Sequence, residues 1–358
     1  MQAAAADPTV QAVVRSPSVD PDVACELETD DGWQDITGDL VLSGRVELGS
    51  YRTIHRTCKL SLSRRLEWGK ARVRLSMTLT APEGTFTAPL GVFLLSTPET
   101  EAGEDPKTYS VEGYDLLEVL DQPHGATFVA AAGTGYLANA RTLIEAAGLS
   151  VTFADEQADR LIGAARVWPI DEQTTTLNII NDLLAAVGFR GLNVGPEGAC
   201  RSQPYTPLAD RGVEWVYDAG VDRTEVGESR TAIFDFFDAP NRLVGVSDDP
   251  EAGIAPVTLD NVSDGPTSQD GRGRVITTVR RYEAADSAAL AAQAGEDFDQ
   301  LSKVAEEFTV SVSPNPLHGH MDVVRLVDPD LGVSRRCIVR SWTLPLNGDD
   351  AVLDLRAV

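Results

Sequence analysis

The chain is poor in the side chains from which most active centres are built. Its four cysteines, Cys25, Cys58, Cys200 and Cys337, lie far apart and form no CxxC pair. That spacing argues against a zinc centre or a disulfide framework and predicts reduced, mostly buried thiols. Histidine is equally scarce. His318-Gly319-His320 is the one local cluster, and no Cys, Asp or Glu at ligand spacing completes a metal shell beside it. His55 and His124 stand alone and are expected to be ordinary satisfied or exposed histidines. There is no G-x-S-x-G elbow and no H-E-x-x-H. Gly133-Thr134-Gly135 and Gly271-Arg272-Gly273-Arg274 lack the Gly-Lys-Ser/Thr of a P-loop and any dinucleotide-binding spacing, so they read as loop glycines. No run of about 18 apolar residues exists, which excludes a membrane-spanning helix. Met1 to Asp7 has neither a basic segment nor a long apolar one, so no signal peptide is expected and the protein is expected to be soluble and made in a cytoplasm.

Lysine is also rare: only Lys59, Lys70, Lys107 and Lys303 occur among 30 basic residues, a bias that points to a GC-rich genome more than to a mechanism. The basic residues face 55 acidic ones, for a formal charge of -25. A surface so acidic repels phosphates and makes non-specific nucleic-acid binding by the outer face unexpected. The charge serves solubility, or it lines a wall past which DNA slides without adhering. The pairs Asp30-Asp31, Asp248-Asp249 and Asp349-Asp350 all lie at turns beside Gly or Pro, where Asp is favoured for local hydrogen bonding. A glycosidase needs two carboxylates placed across a cleft, and nothing in the sequence singles out such a pair. No residue is therefore assigned a catalytic, cofactor-binding or metal-ligating role, and no cofactor is expected.

What is present is a succession of patterns. Residues 1–22, with Pro8, Pro17 and Pro21, read as an extended arm. Residues 23–114 alternate with period two, most clearly in Arg72–Thr80, where Val73, Leu75, Met77 and Leu79 share one face. About six such runs, separated by turns such as Asp30-Asp31-Gly32 and Pro82-Glu83-Gly84, predict a small barrel or sandwich.

Residues 115–205 change character. Asp115 can cap a short helix that Pro123 closes. Leu137, Ala140, Leu143, Ile144 and Ala147 share a helical face that Gly148 ends. Thr174-Thr175-Thr176 offers a cap for a helix carrying Leu177, Ile180, Leu183, Leu184 and Val187, stopped by Gly188. Short strand-like pieces, Leu149–Phe153 and Phe189–Val194, follow the two helices, which predicts two related helix–strand units. Residues 206–358 return to strands, with one helix expected at about 287–305, marked by Leu290, Ala294, Leu301 and Val304. Asn347-Gly348 between the last two strands suits a type I′ hairpin.

The resulting fold class is mainly β with an α/β insertion. In that order the chain resembles the baseplate-hub and tail-tip hub family of tailed bacteriophages, whose members also cap siphophage tails and contractile injection systems. The likeness rests on three stretches. Val111-Glu112-Gly113-Tyr114-Asp115-Leu116-Leu117 resembles the exit from the family's first barrel. Leu177-Asn178-Ile179-Ile180-Asn181-Asp182-Leu183-Leu184, ending at Gly188-Phe189, resembles its insertion helix. Asp322–Pro329, Arg340–Leu344 and Val352–Arg356 resemble the closing hairpins of its second barrel.

The resemblance implies two tail-tube-like β-barrels flanking a small helical insertion. It implies a homotrimer whose six barrels match a hexameric tail tube above and a trimeric spike or fibre below, around a channel for the tape measure and, in transit, DNA. The implied place is the virion tail tip, assembled in the host cytoplasm without membrane insertion. The family's long C-terminal extension is missing, so a lysin, fibre or peptidase module is expected on another protein. Two other readings compete with it: a tail-associated hydrolase of cell wall or capsule using acidic residues, and a carbohydrate-binding adhesin at the tail tip. The absence of a nucleophile or metal signature disfavours the first, and an aromatic content of 6% disfavours the second.

Overall fold

The computed structural model describes residues 2–100, 108–206, 210–221, 225–235, 239–247, 253–263, 265–282, 287–302 and 305–358. It is mainly β, with 45% strand and 18% helix. The chain divides into two compact units, one of Met1–Arg230, Thr309–Arg356 and Val358, the other of Thr231–Phe308 and Ala357.

The larger unit begins with a correction. Where an extended arm was expected, a 3-10 turn at Ala3–Ala6 leads into helix α1 (Pro8–Val14). Asp7 accepts a hydrogen bond from the Thr9 amide at 2.8 Å and Pro8 opens the helix. Asp before Pro is a helix start signal that the three prolines obscured. Val13 and Val14 are buried, and α1 packs against the strands that follow.

Those strands are β1 (Asp20–Thr29), β2 (Gly32–Asp35), β3 (Leu40–Gly49), β4 (Arg56–Leu62), β5 (Arg72–Ala81), β6 (Gly84–Thr100) and β7 (Tyr109–Asp115). In β5 the expected alternation holds: Val73, Leu75, Met77 and Leu79 are buried, while Arg72, Arg74, Ser76 and Thr78 are half-buried.

After β7, Asp115 caps a turn as expected, accepting from the Leu117 amide at 2.9 Å, though the turn is a 3-10 helix of four residues. The insertion contains β8 (Phe128–Ala130), helix α2 (Tyr136–Ala146), β9 (Val151–Phe153), β10 (Arg166–Trp168), helix α3 (Thr176–Ala186), β11 (Asn193–Val194) and β12 (Cys200–Ser202). Of the three candidate threonines Thr175 is the cap, accepting from the Asn178 amide at 3.1 Å. Gly148 and Gly188 terminate the helices at φ of 76° and 75°, the left-handed backbone that glycine adopts without strain. Leu137, Ala140, Leu143 and Ile144 of α2 and Leu177, Ile180, Leu183 and Leu184 of α3 form one buried cluster. The second strand-like piece is shorter than expected: only Asn193–Val194 forms a strand, paired with β12, and Phe189 makes an isolated antiparallel bridge to Pro204.

The chain then adds β13 (Trp215–Asp218), β14 (Val226–Asp235), β18 (Ala305–Val312), β19 (Val323–Asp328), β20 (Val333–Pro345) and β21 (Ala351–Ala357). The sheet has 13 strands in the order β14-β18-β21-β20-β3-β4-β7-β6-β5-β1-β2, with β19 and β13 branching from β20. No closed barrel is found among the described residues, so the expectation of two tail-tube-like β-barrels is not confirmed. Strand β20 is long enough to pair twice. Its first half pairs antiparallel with β19, from Val333↔Asp328 to Ile338↔Val323, and its second half with β3, from Ser341↔Gly49 to Pro345↔Arg45. One long strand thus joins the N-terminal and C-terminal β regions into a continuous sheet. The Asn347-Gly348 turn is also corrected. Only Gly348 takes a positive φ, 85°, and a type I′ turn needs two such residues.

The smaller unit is a three-stranded sheet. Its centre β15 (Arg242–Ser247) lies between antiparallel β16 (Val257–Asp260) and parallel β17 (Thr277–Tyr282). A short helix α4 (Gln269–Arg272) precedes β17, and the expected helix is α5 (Ser287–Leu301). Leu243, Ala294 and Phe298 form the unit's core.

Candidate functional site

Three segments of the larger unit, distant in sequence, converge on one cleft: the loop between β3 and β4, the chain around Arg190 after α3, and His320-Met321. Local bonds fix each of them. Ser50 donates its amide to the Arg340 carbonyl at 2.7 Å and its hydroxyl to that of Val339 at 2.9 Å, and accepts from the Met321 amide at 3.0 Å. Met321 itself takes a left-handed φ of 56°. Asn181 of α3 accepts from the Leu192 amide at 2.9 Å, which holds the Arg190 loop against the helix.

The cleft has two adjoining recesses that share Arg190 and His320. One, of about 550 Å³, is lined by Tyr51, His55, Leu177, Asn181, Leu192 and Tyr205 among others. The other, of about 520 Å³, is lined by Arg56, Arg201, Gln203, Arg211 and Glu214 among others.

The histidines single themselves out here, but not as the sequence pairs them. His318 and His320 part company. His318 is fully buried, with Nδ1 3.2 Å from an Asp322 carboxylate oxygen and Nε2 2.7 Å from the Tyr217 hydroxyl, which also accepts from Asn315 at 3.1 Å. Burial works against the Asp322 carboxylate, but the His318 hydrogen bond holds it ionised below its ordinary range. Asp322, four residues on from His318, is thus its partner, a pairing that the local His-Gly-His pattern does not signal. His320 instead stacks on His55, ring centroids 4.2 Å apart. Burial, then the neighbouring Arg56, lowers His55 to about 4, and burial with His55 and Arg190 lowers His320 to about 3. Both imidazoles are therefore neutral at pH 7. His124 lies elsewhere, 3.0 Å from the Thr176 hydroxyl.

The other sequence candidates that the structure describes lie at turns and element ends or in local hydrogen bonds. Gly273 ends α4 in the left-handed region at φ of 62°. Gly133 is a turn glycine at φ of 83°. Asp350 accepts from the Ser311 hydroxyl at 2.8 Å and Asp349 from Asn347 at 2.7 Å. Asp248-Asp249 lie outside the described residues. All four cysteines are buried and none forms a disulfide, and desolvation raises Cys25 and Cys200 to about 12. Among the described residues no three His, Cys, Asp or Glu side chains gather closely enough to hold a metal ion. No described helix is long and apolar enough to cross a membrane.

The arginines are what sequence reasoning missed. Arg56 opens β4 and is 2% exposed, with its guanidinium 5.9 Å from the centre of the Trp342 ring and one amine donating to the Leu90 carbonyl. Burial lowers its pKa to about 10. Arg190 donates to the Thr206 carbonyl at 3.0 Å and lies 5.7 Å from the Tyr205 ring; burial and then Arg211 lower its pKa. No spacing in the sequence signals this gathering, because its members are contributed by β4 and by the chain around and beyond β11 and β12.

No protein-family model matches the sequence, and no curated protein matches it. Solved structures do. The 43 kDa tail protein of prophage MuSo2 from Shewanella oneidensis is 12% identical, with 93% of this chain and 98% of that one covered at a TM-score of 0.59. A tail protein from Neisseria meningitidis is 12% identical, with 94% and 96% covered at 0.58. The prophage tail protein gp18 from Listeria monocytogenes is 10% identical, with 94% of each chain covered at 0.56. The chain shares the fold of these phage tail proteins over nearly its whole length.

Proposed function

We propose that the chain is a structural component of a tailed-bacteriophage tail: a hub subunit that forms a trimeric ring at the tail tip. The observation that carries this reading is a fold match that covers more than nine-tenths of both this chain and each of three tail proteins. A match to one shared module would have left the rest of a chain unaccounted for. On this reading the N-terminal and C-terminal β regions act as two tube-like positions per chain, so that three copies present six to a hexameric tube above and a threefold face to a spike or fibre below. The tape measure and then DNA pass through the middle, and the excess of carboxylates faces the channel, where each arginine–phosphate contact would slow transit.

The decisive experiment is a reconstruction of the tail tip by electron cryomicroscopy. Three copies around one axis are expected, and a monomer or an isologous dimer in the particle sinks the assignment. The proposed role is non-catalytic, so peptidoglycan and capsular polymer are expected to survive long incubation with the pure protein. Cleavage abolished by replacing a single carboxylate would make it a hydrolase instead.

A further inference from the structure

In a chain of net charge -25, the cleft described above gathers Arg56, Arg190, Arg201 and Arg211 around one recess. Two of the four are neutralised locally: Arg201 pairs with Glu197, and Arg211 with Glu214 at 2.8 Å. Arg56 and Arg190 have no ion-pair partner among the described residues, and the Nε of each is buried without a hydrogen-bond acceptor. A guanidinium nitrogen out of water and without an acceptor is costly, because its desolvation goes uncompensated. Arg211 presses on Arg190, and Arg201 presses on Arg56 against the opposing pull of Asp115, Asp322 and Glu197. The repulsion falls if an anion enters, and a turn of either side chain toward it gives the Nε an acceptor as well. The planar fork of arginine suits the oxygens of a carboxylate or phosphate, which accept paired N–H bonds.

We propose that this recess is an oxyanion-binding site, in which a carboxylate or phosphate group is held by Arg56 and Arg190, with Arg201 and Arg211 adding positive field at its rim. The adjoining recess, lined by Leu177, Leu192 and Tyr205, gives apolar room for whatever carries the anion. A duplex does not suit a recess of about 520 Å³ in an acidic molecule. The group therefore comes from a free small anion or from an acidic side chain of a peptide. This site does not depend on the tail-hub reading.

Calorimetric titration of the full chain in phosphate-free, low-salt buffer tests it, with inorganic phosphate in one arm and triglutamate in the other. Saturable binding of phosphate identifies a free small anion as the occupant, and binding of triglutamate alone identifies a peptide carboxylate. Arg56→Gln is the direct variant, but Arg56 is buried and its replacement can unfold the protein. Arg190→Gln, at a half-buried position, is the working variant. It is expected to weaken binding at least tenfold at an unchanged melting temperature, whereas the exposed Arg325→Gln leaves binding as it is. A flat titration in both arms, or binding that Arg190→Gln does not alter, overturns the proposal.

Discussion

Leu184 lies wholly inside the insertion core, on the face of α3 that meets α2. Leu184→Asp must either bury a carboxylate or open the helix pair, at a cost of about 3–5 kcal/mol, and denaturant titration is expected to show that loss. A variant that unfolds at the wild-type midpoint would mean the α2–α3 face is not load-sharing. The stacked His55 and His320 make a second prediction, in pH. With folded values of about 4 and about 3 against an ordinary 6.5, the unfolded chain binds protons that the folded chain refuses. Their contribution is complete above about pH 6.5 and is lost as pH falls toward 4. Asp115 acts oppositely: burial raises it to about 6, so the folded state gains on it as pH falls from about 6 toward its ordinary 3.8. Two histidines outweigh one carboxylate, and a net loss on the order of a few kcal/mol is expected between pH 7 and 4. Asp322, held below its ordinary range, adds its own loss only below about pH 3.8. Replacing both histidines by Gln should abolish this loss and leave the opposite slope of Asp115, a gain as pH falls from about 6 toward 4, and an unchanged slope would assign the loss to other groups.

Among the elements, those visible in the sequence are the ones whose cause is local. The period-two face of β5, the Thr175 cap and the Gly148 and Gly188 stops each follow from a few neighbouring residues. Helix α1 was legible too, in Asp7-Pro8, but the prolines around it suggested an extended chain. What could not be read is pairing across the sequence. Nothing in Ser341–Pro345 announces that it will bond to Arg45–Gly49, and nothing in the spacing of His55 and His320 announces a stack. For the same reason the arginine cleft was invisible, since its charges are ordinary surface residues until the fold assembles them. The pairing of β20 with β3 carries its own prediction. Thr343, opposite Glu47, is interior to a strand with a neighbour on each side, and Thr343→Pro removes a ladder donor there. A loss of about 3 kcal/mol or more is expected, with unfolding of the N-terminal strands in the same transition. Hydrogen exchange would read this as lost protection in Arg45–Gly49, and protection kept there would show that β3 holds without its partner.

For the molecule as a whole, the proposed ring sets charge against geometry. A closed ring needs two different complementary faces on each subunit, and every added copy brings another 25 negative charges into the assembly. At long range those charges repel. Their reach is set by salt, falling from about 30 Å at 0.01 M to about 3 Å at 1 M ionic strength. The contacts that would close the ring act at van der Waals range and are hardly screened. Raising salt therefore removes the opposition and leaves the attraction, so the isolated chain should be a monomer at low ionic strength and move toward trimers as salt rises. Light scattering across a salt series at fixed protein concentration measures this. Ion-paired association runs the other way, since salt would dissolve it. Trimers that fall apart as salt rises would mean that opposite charges hold the ring, and the acidic surplus would then belong to its faces and not to its channel.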